Sequence, residues 1–168
     1  MPVKSVMTDV EDLELIIRAQ FDAPPARVWK VWSDPRLLER WWGPPEWPAT
    51  FTRFEFQAGG NVRYRMTGPD SEQVQGWWQF EDIVEPRRLE FKDGFADDDG
   101  EPSGEHGVTH NVVTLVEAPG ESTSHGTLMT LRVVFASLAQ LKELLDMDME
   151  DGLRDSVNQI DALLASRH

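Results

Sequence analysis

Few side chains in this sequence have the type and spacing that chemistry needs. His106 and His110 stand four apart with acidic residues nearby, donor types that zinc accepts. His106 falls in a stretch without period and His110 at the start of an alternating one, so their spacing does not put both on one helix face, and no metal site is expected. His110 is instead a candidate pocket residue, if its side of the strand faces inward. Tyr64 is the only tyrosine, and a buried phenol needs a partner, so it can orient a polar group of a ligand. Asp82, Glu85 or Glu90 would serve as a general acid only if buried and shifted in pKa. The chain has no cysteine, which excludes disulfides, thiolate catalysis and thiolate metal ligation. It also has no Gly-x-Ser-x-Gly elbow, phosphate loop or dinucleotide fingerprint. No catalytic residue is assigned and no cofactor is expected.

Apolar aromatic surface is abundant by contrast. Trp29, Trp32, Trp41, Trp42 and Trp47 put five of the seven tryptophans into 19 residues. Trp29 and Trp32 have the helical spacing of core residues. Trp41 and Trp42 are adjacent, and adjacent helix residues cannot both face one core, so one of them lines a cavity mouth or is exposed. Trp47 lies between prolines and is a candidate lid.

Positioning such groups requires regular elements. Glu14 to Phe21 alternates like a half-buried strand and stops at Pro24-Pro25. Two short helices follow, with Asp34 as N-cap and Pro35 as first residue of the second. From Thr50 the period is two, with turns at Ala58-Gly59-Gly60 and Gly68–Ser71, so successive hairpins form an antiparallel meander. Its inward face offers Phe54, Phe56, Tyr64, Met66, Trp78, Phe80 and Phe91. Residues 95–107 are acidic and aperiodic and read as a solvated loop. Two more strands precede one helix from Leu138 to Ala165, about 42 Å long if continuous. Leu138, Leu141, Leu145, Met149, Leu153, Ile160 and Leu164 recur along its apolar face. Gly152 and Ser156 interrupt that face beside Met149 and Leu153, for close packing on the sheet or for pocket space. Met147 points away from the face, so either it is exposed or the helix breaks near Asp146–Asp148. A sheet with one long helix as cover is a two-layer α+β domain, expected over 11–168 after a flexible arm, 1–10.

The net charge is −14, which argues against a nucleic-acid or anionic-membrane partner. No segment approaches the ~20 apolar residues of a membrane span, and residues 1–14 have no signal-peptide pattern. A soluble cytoplasmic protein is expected.

Several ordered motifs resemble the START-like (SRPBCC) superfamily, in the branch named after homologues of the heat-shock-protein ATPase activator. They are Phe21-x-Ala23-Pro24 with Val28-Trp29, Trp32 with Asp34-Pro35, Trp41-Trp42-Gly43-Pro44, Gly59-Gly60, Gly76, Pro86-x-Arg88-Leu89, and Met149-x-x-Gly152 leading to Ile160-Asp161-x-Leu163-Leu164. The sequence departs from that branch at Asp148, commonly glycine, at Leu153, often Trp or Met, and in a longer acidic loop. The resemblance implies a helix-grip fold, a curved antiparallel sheet of six or seven strands around the C-terminal helix, with a cavity between them. Trp41, Trp42, Phe54, Phe56, Tyr64, Met66, Trp78, His110, Met149, Gly152, Leu153 and Ser156 are the residues expected to bind a ligand there. The wider superfamily binds apolar small molecules, and some members are cyclases. The expected partner is therefore a small apolar or aromatic molecule. The alternatives are a polyketide cyclase-like reaction, with Tyr64 or His110 as acid or base, and contact with a chaperone ATPase.

Overall fold

The computed structural model describes residues 2–165. Met1 of the expected arm and residues 166–168 of the expected domain lie outside the described residues. Eight strands form one curved antiparallel sheet: β1 Val3–Asp9, β2 Glu14–Phe21, β3 Ala49–Phe54, β4 Asn61–Thr67, β5 Gln73–Val84, β6 Arg88–Phe95, β7 Val108–Ala118 and β8 Gly126–Val134. Their order is β1-β2-β8-β7-β6-β5-β4-β3, so β3 to β8 is the meander that the alternation predicts. Register shifts at Phe51/Arg53 and Phe80/Asp82 are bulges, which bend the strands.

The helices α1 Pro25–Ser33 and α2 Pro35–Leu38 stand between β2 and β3. The Asp34 carboxylate accepts the Arg36 backbone N–H at 2.9 Å, and Pro35 opens α2, as its position before an apolar run requires.

One expectation is corrected. Residues 3–9 are not a loose arm but the edge strand β1, which brings the count to eight and places the short helices after the second strand. Hydrogen bonds to β2 hold it, Val3 and Val6 pack on the core, and the Asn158 side chain accepts the Val3 N–H at 3.0 Å.

The C-terminal helix breaks between Asp146 and Met149, one of the two alternatives that the position of Met147 leaves open. It runs as α3 Leu138–Asp146, α4 Met149–Asn158 and α5 Ile160–Ala165. Asp148 sits in the left-handed region at φ 62°, and tight turns from Met147 to Leu144 and from Asp148 to Leu145 close α3 before α4 starts. The reason is phase. A straight helix would carry one apolar stripe, whereas the break lets α3 bury Leu141 and Leu144 while α4 and α5 bury Val157, Ile160, Leu163 and Leu164. Met147 falls at the break and is 48% exposed. Leu138, expected on the apolar face, is exposed as well.

Trp32, Trp41, Trp42, Trp78 and Phe91 pack as one aromatic cluster inside the sheet, with Trp32–Trp41 ring centroids 4.7 Å apart and Trp78–Phe91 4.2 Å apart. Both Trp41 and Trp42 are buried, because they follow α2 in a turn rather than standing on a helix, so neighbouring side chains can turn to the same side. Trp41 Nε1–H donates to the Val31 carbonyl at 2.8 Å. Trp41→Phe leaves that buried carbonyl without its donor and is expected to cost about 1–3 kcal/mol in urea unfolding. Gly152→Ala should act in the opposite direction. A Cβ there would meet only Pro44 Cγ, at 3.8 Å, so the gain in helix propensity, up to about 1 kcal/mol, is expected to appear as added stability.

Candidate ligand cavity

A cavity of about 680 Å³ lies between the sheet and the helical cover. Its sheet wall is built by Tyr64 and Met66 of β4, Val74 and Gln75 of β5, Asp93, Gly94 and Phe95 of β6, and Thr109 of β7. Its helical wall is Leu144, Met147 and Asp148 at the break, then Met149, Gly152, Leu153 and Ser156 of α4. Trp42, Gly43, Pro44 and Trp47 close one end.

That end is held by specific contacts. Gln159 Nε2 donates to the carbonyls of Trp41 at 3.2 Å and Gly43 at 2.8 Å, which fixes the tryptophan turn to the end of α4. Gly43 has φ +98°, and a Cβ there would fall 2.2 Å from the Trp47 carbonyl oxygen, so only glycine fits. The Trp47 ring rests on Gly68, where a Cβ would lie 2.7 Å from it. At the other side the acidic loop is tied down rather than free. His106 pairs with Glu143 of α3, and Gln140 Nε2 donates to the His106 and Val108 carbonyls, each at 3.1 Å.

Gly152 answers the question its position raises. With only Pro44 Cγ in reach of an added Cβ, it makes space rather than close helix–sheet contact. The Ser156 hydroxyl turns back to donate to the Gly152 carbonyl at 2.7 Å, so its donor is already used within the helix.

One hydrogen-bonded polar pair stands on the sheet wall. Tyr64 Oη–H donates to Asp93 Oδ1 at 3.2 Å. Tyr64 is paired with Gly76 on β5, where a Cβ would come 2.4 Å from the phenol. Burial, and then the Asp93 charge, hold the Tyr64 hydroxyl well above its usual range. Burial pushes the Asp93 carboxyl up to about 7, against the opposing hydrogen bonds from Tyr64 and the Gly94 N–H. The indole N–H groups of Trp42 and Trp78 are buried beside this pair without an acceptor in hydrogen-bonding geometry.

Of the residues expected to bind a ligand, Trp42, Tyr64, Met66, Met149, Gly152, Leu153 and Ser156 meet around the cavity. Trp47, expected as a lid, lines it too. Five do not line it. Trp41 and Trp78 are wholly buried beneath it. Phe54 and Phe56 pack against Phe80, and Phe56 also against Trp29, because β3 ends at Phe54 and the next turn folds Phe56 back, its centroid 5.1 Å from Phe80. His110 is on the outer face, its Nε2 2.7 Å from Glu81 and 3.0 Å from Glu90, because the buried parity of β7 belongs to Thr109 and Asn111. These three donors lie within 4.8 Å of one another, but Glu90 is also engaged by Arg88 at 2.8 Å, which lowers its pKa and makes it a poor acid.

Asp93 is the residue that reading the sequence missed. The signal was present, since Leu89 and Phe91 set the inward parity of β6 and Asp93 follows on it.

Two outcomes test the pair. Gly76→Ala must displace the phenol, and is expected to shift the Tyr64 and Asp93 NMR resonances while the outer-face residues keep theirs. The second is pH dependence. An unfolded aspartate ionises at about 4 and Asp93 in the fold at about 7, so between these values the folded chain holds an extra proton. Its contribution to stability therefore falls as pH rises through that window and is least above it. Asp93→Asn is expected to raise Tm more at pH 8 than at pH 4, measured by thermal melts, with the difference set by that window.

Comparison with known proteins agrees with this architecture. The profile of the family described as "Activator of Hsp90 ATPase homolog 1-like protein" matches residues 22–165. The solution structure of a protein from Arthrobacter aurescens is 50% identical, with a TM-score of 0.88 over 96% of this chain and 91% of that one. Crystalline Ms6760 from Mycobacterium smegmatis is 42% identical, with a TM-score of 0.88 over 99% of each chain. CalU16 from Micromonospora echinospora, at 22% identity and a TM-score of 0.54 over 90% of this chain and 76% of that one, shares the fold alone. A search of curated proteins finds no match. The cavity under a broken C-terminal helix is thus held in a helix-grip fold, and the chain belongs to the Activator of Hsp90 ATPase homolog 1-like family.

Proposed function

We propose that this protein binds a small apolar or aromatic molecule in the cavity between sheet and α4, without covalent chemistry. The observation that carries this is Gly152, a helix residue with weak propensity that faces open space in a cavity of about 680 Å³. A volume of ~300–1,000 Å³ with apolar walls and a few polar groups is typical of small-molecule sites. Met66, Met147 and Met149 add a soft surface that accommodates different shapes. No helix among the described residues is long and apolar enough to cross a membrane, and the proposal includes a cytoplasmic location.

The Tyr64–Asp93 pair favours a second reading, an acid–base reaction of the cyclase type. A carboxyl that titrates near 7 can give or take a proton at neutral pH. His110, on the outer face, has no part in it. The third reading, contact with a chaperone ATPase, is supported by the family description.

Titration with flavonoid-like compounds, fatty acids and fatty amines, followed by NMR, separates the first two. Dose-dependent shifts at Gly152, Ser156 and Tyr64 with the ligand unchanged are expected, and turnover of the ligand would favour the enzyme. Gly152→Leu fills the open space and is expected to weaken binding at least about tenfold. Shifts absent with every compound would end the ligand reading, and a pull-down that retrieves no chaperone would end the third.

A further inference from the structure

The charges around the cavity all have one sign. Asp93 stands on the sheet wall, Asp148 at the helix break, and Asp151 and Asp155 on α4. Among the described residues, no Lys, Arg or His lines it. Arg154, the nearest cation on α4, is taken by Asp151 at 2.8 Å and Glu150 at 3.7 Å. His106 touches Phe95 edge-on but pairs with Glu143 outside the cavity. Asp93 has Tyr64 as its side-chain partner, and a phenol is neutral, so the carboxyl has no counter-ion. Trp42, Trp47, Tyr64 and Phe95 supply aromatic surface to the same space, and aromatic faces attract cations.

We propose that the ligand of this cavity is an apolar cation, an aromatic or aliphatic amine whose ammonium group sits against Asp93 while its hydrocarbon body fills the space beside Gly152. This deepens the small-molecule reading above and rests on it. Electrostatics favours the amine over neutral and acidic isosteres for separate reasons. A partly desolvated carboxylate without a counter-ion is costly, and a bound ammonium lowers that cost. Asp151 is paired with Arg154, and Asp148 and Asp155 of the helical wall repel an anion at the mouth and attract a cation. The chain's net charge of −14 acts in the same direction at longer range.

Asp93 also gives the preference a pH dependence. The groups that line the cavity with it are Tyr64 from β4, Asp148 from the break, and Asp151 and Asp155 from α4. The carboxyl ionises at about 7. An amine that stays protonated therefore gains its partner as pH rises through that value.

The test uses three isosteric probes on the full chain: 1-naphthylmethylamine, 1-naphthalenemethanol and 1-naphthoic acid. Quenching of tryptophan fluorescence gives each Kd. The amine is expected to bind at least about tenfold tighter than the alcohol at about pH 8, with the acid weakest. The amine-to-alcohol ratio should shrink towards about pH 6 as Asp93 takes a proton. Asp93→Asn should cut the ratio at pH 8 to within about threefold. The pH series on the unaltered chain decides the matter should that variant fold poorly. Equal binding of amine and alcohol, a ratio that does not change with pH, or tightest binding of the acid would overturn the cation proposal alone. Failure of all three probes to bind would overturn the small-molecule reading and this proposal with it.

Discussion

The arrangement depends on how bulky aromatic groups fill the inside of a curved sheet. Trp32, Trp41, Trp42, Trp78 and Phe91 occupy one part of that space and touch one another at centroid distances of 4.2–6.3 Å. Close packing of that kind leaves little freedom to collapse. Helix α1 contacts α5, β7 and β8, whereas α4 contacts β1 and β2. What the rings do not fill remains open under α4. Trp42 belongs to both regions, a member of the aromatic cluster and a wall of the cavity.

The break at Asp148 is the second consequence. A single straight helix has one apolar stripe and cannot follow a curved surface along its length. One residue in the left-handed region resets the direction and phase of the chain. Aspartate tolerates that conformation better than most side chains do. The break places Met147, Asp148 and Met149 at the cavity edge, so the cover that buries the core also shapes the opening.

Polar groups are few in this setting, and each is correspondingly strong. Tyr64 and Asp93 face each other because Gly76 leaves room for the phenol and the parity of β6 turns the carboxyl inward. Their shifted pKa values follow from the low polarity of the walls, since desolvation is the leading cause for both. The outer face shows the contrast. There Glu90 is partnered by Arg88 and His110, and its pKa moves down instead.

Much of the fold was legible in the sequence because secondary structure is written in local periods. Alternation gave the strands from β2 to β8, and Asp34-Pro35 gave the cap of α2. Edge strand β1 was not legible. Its burial pattern lacks strict alternation, and its partner β2 rather than its own residues holds it in place. Half the site was legible for the same reason: Tyr64, Met66 and the Met149–Ser156 face lie on periodic elements. Trp41, Trp78, Phe54 and Phe56 share their residue types and inward sense with true cavity residues, and only three-dimensional packing separates a filled volume from an empty one. His110 and Asp93 differ by parity alone, since a strand alternates its faces at every residue. The sequence by itself thus determined the order of elements and the apolar character of the interior. The tertiary structure decided where that interior stays open and which carboxyl of the sheet faces it, because a cavity is what remains when distant residues pack and no local pattern encodes the remainder.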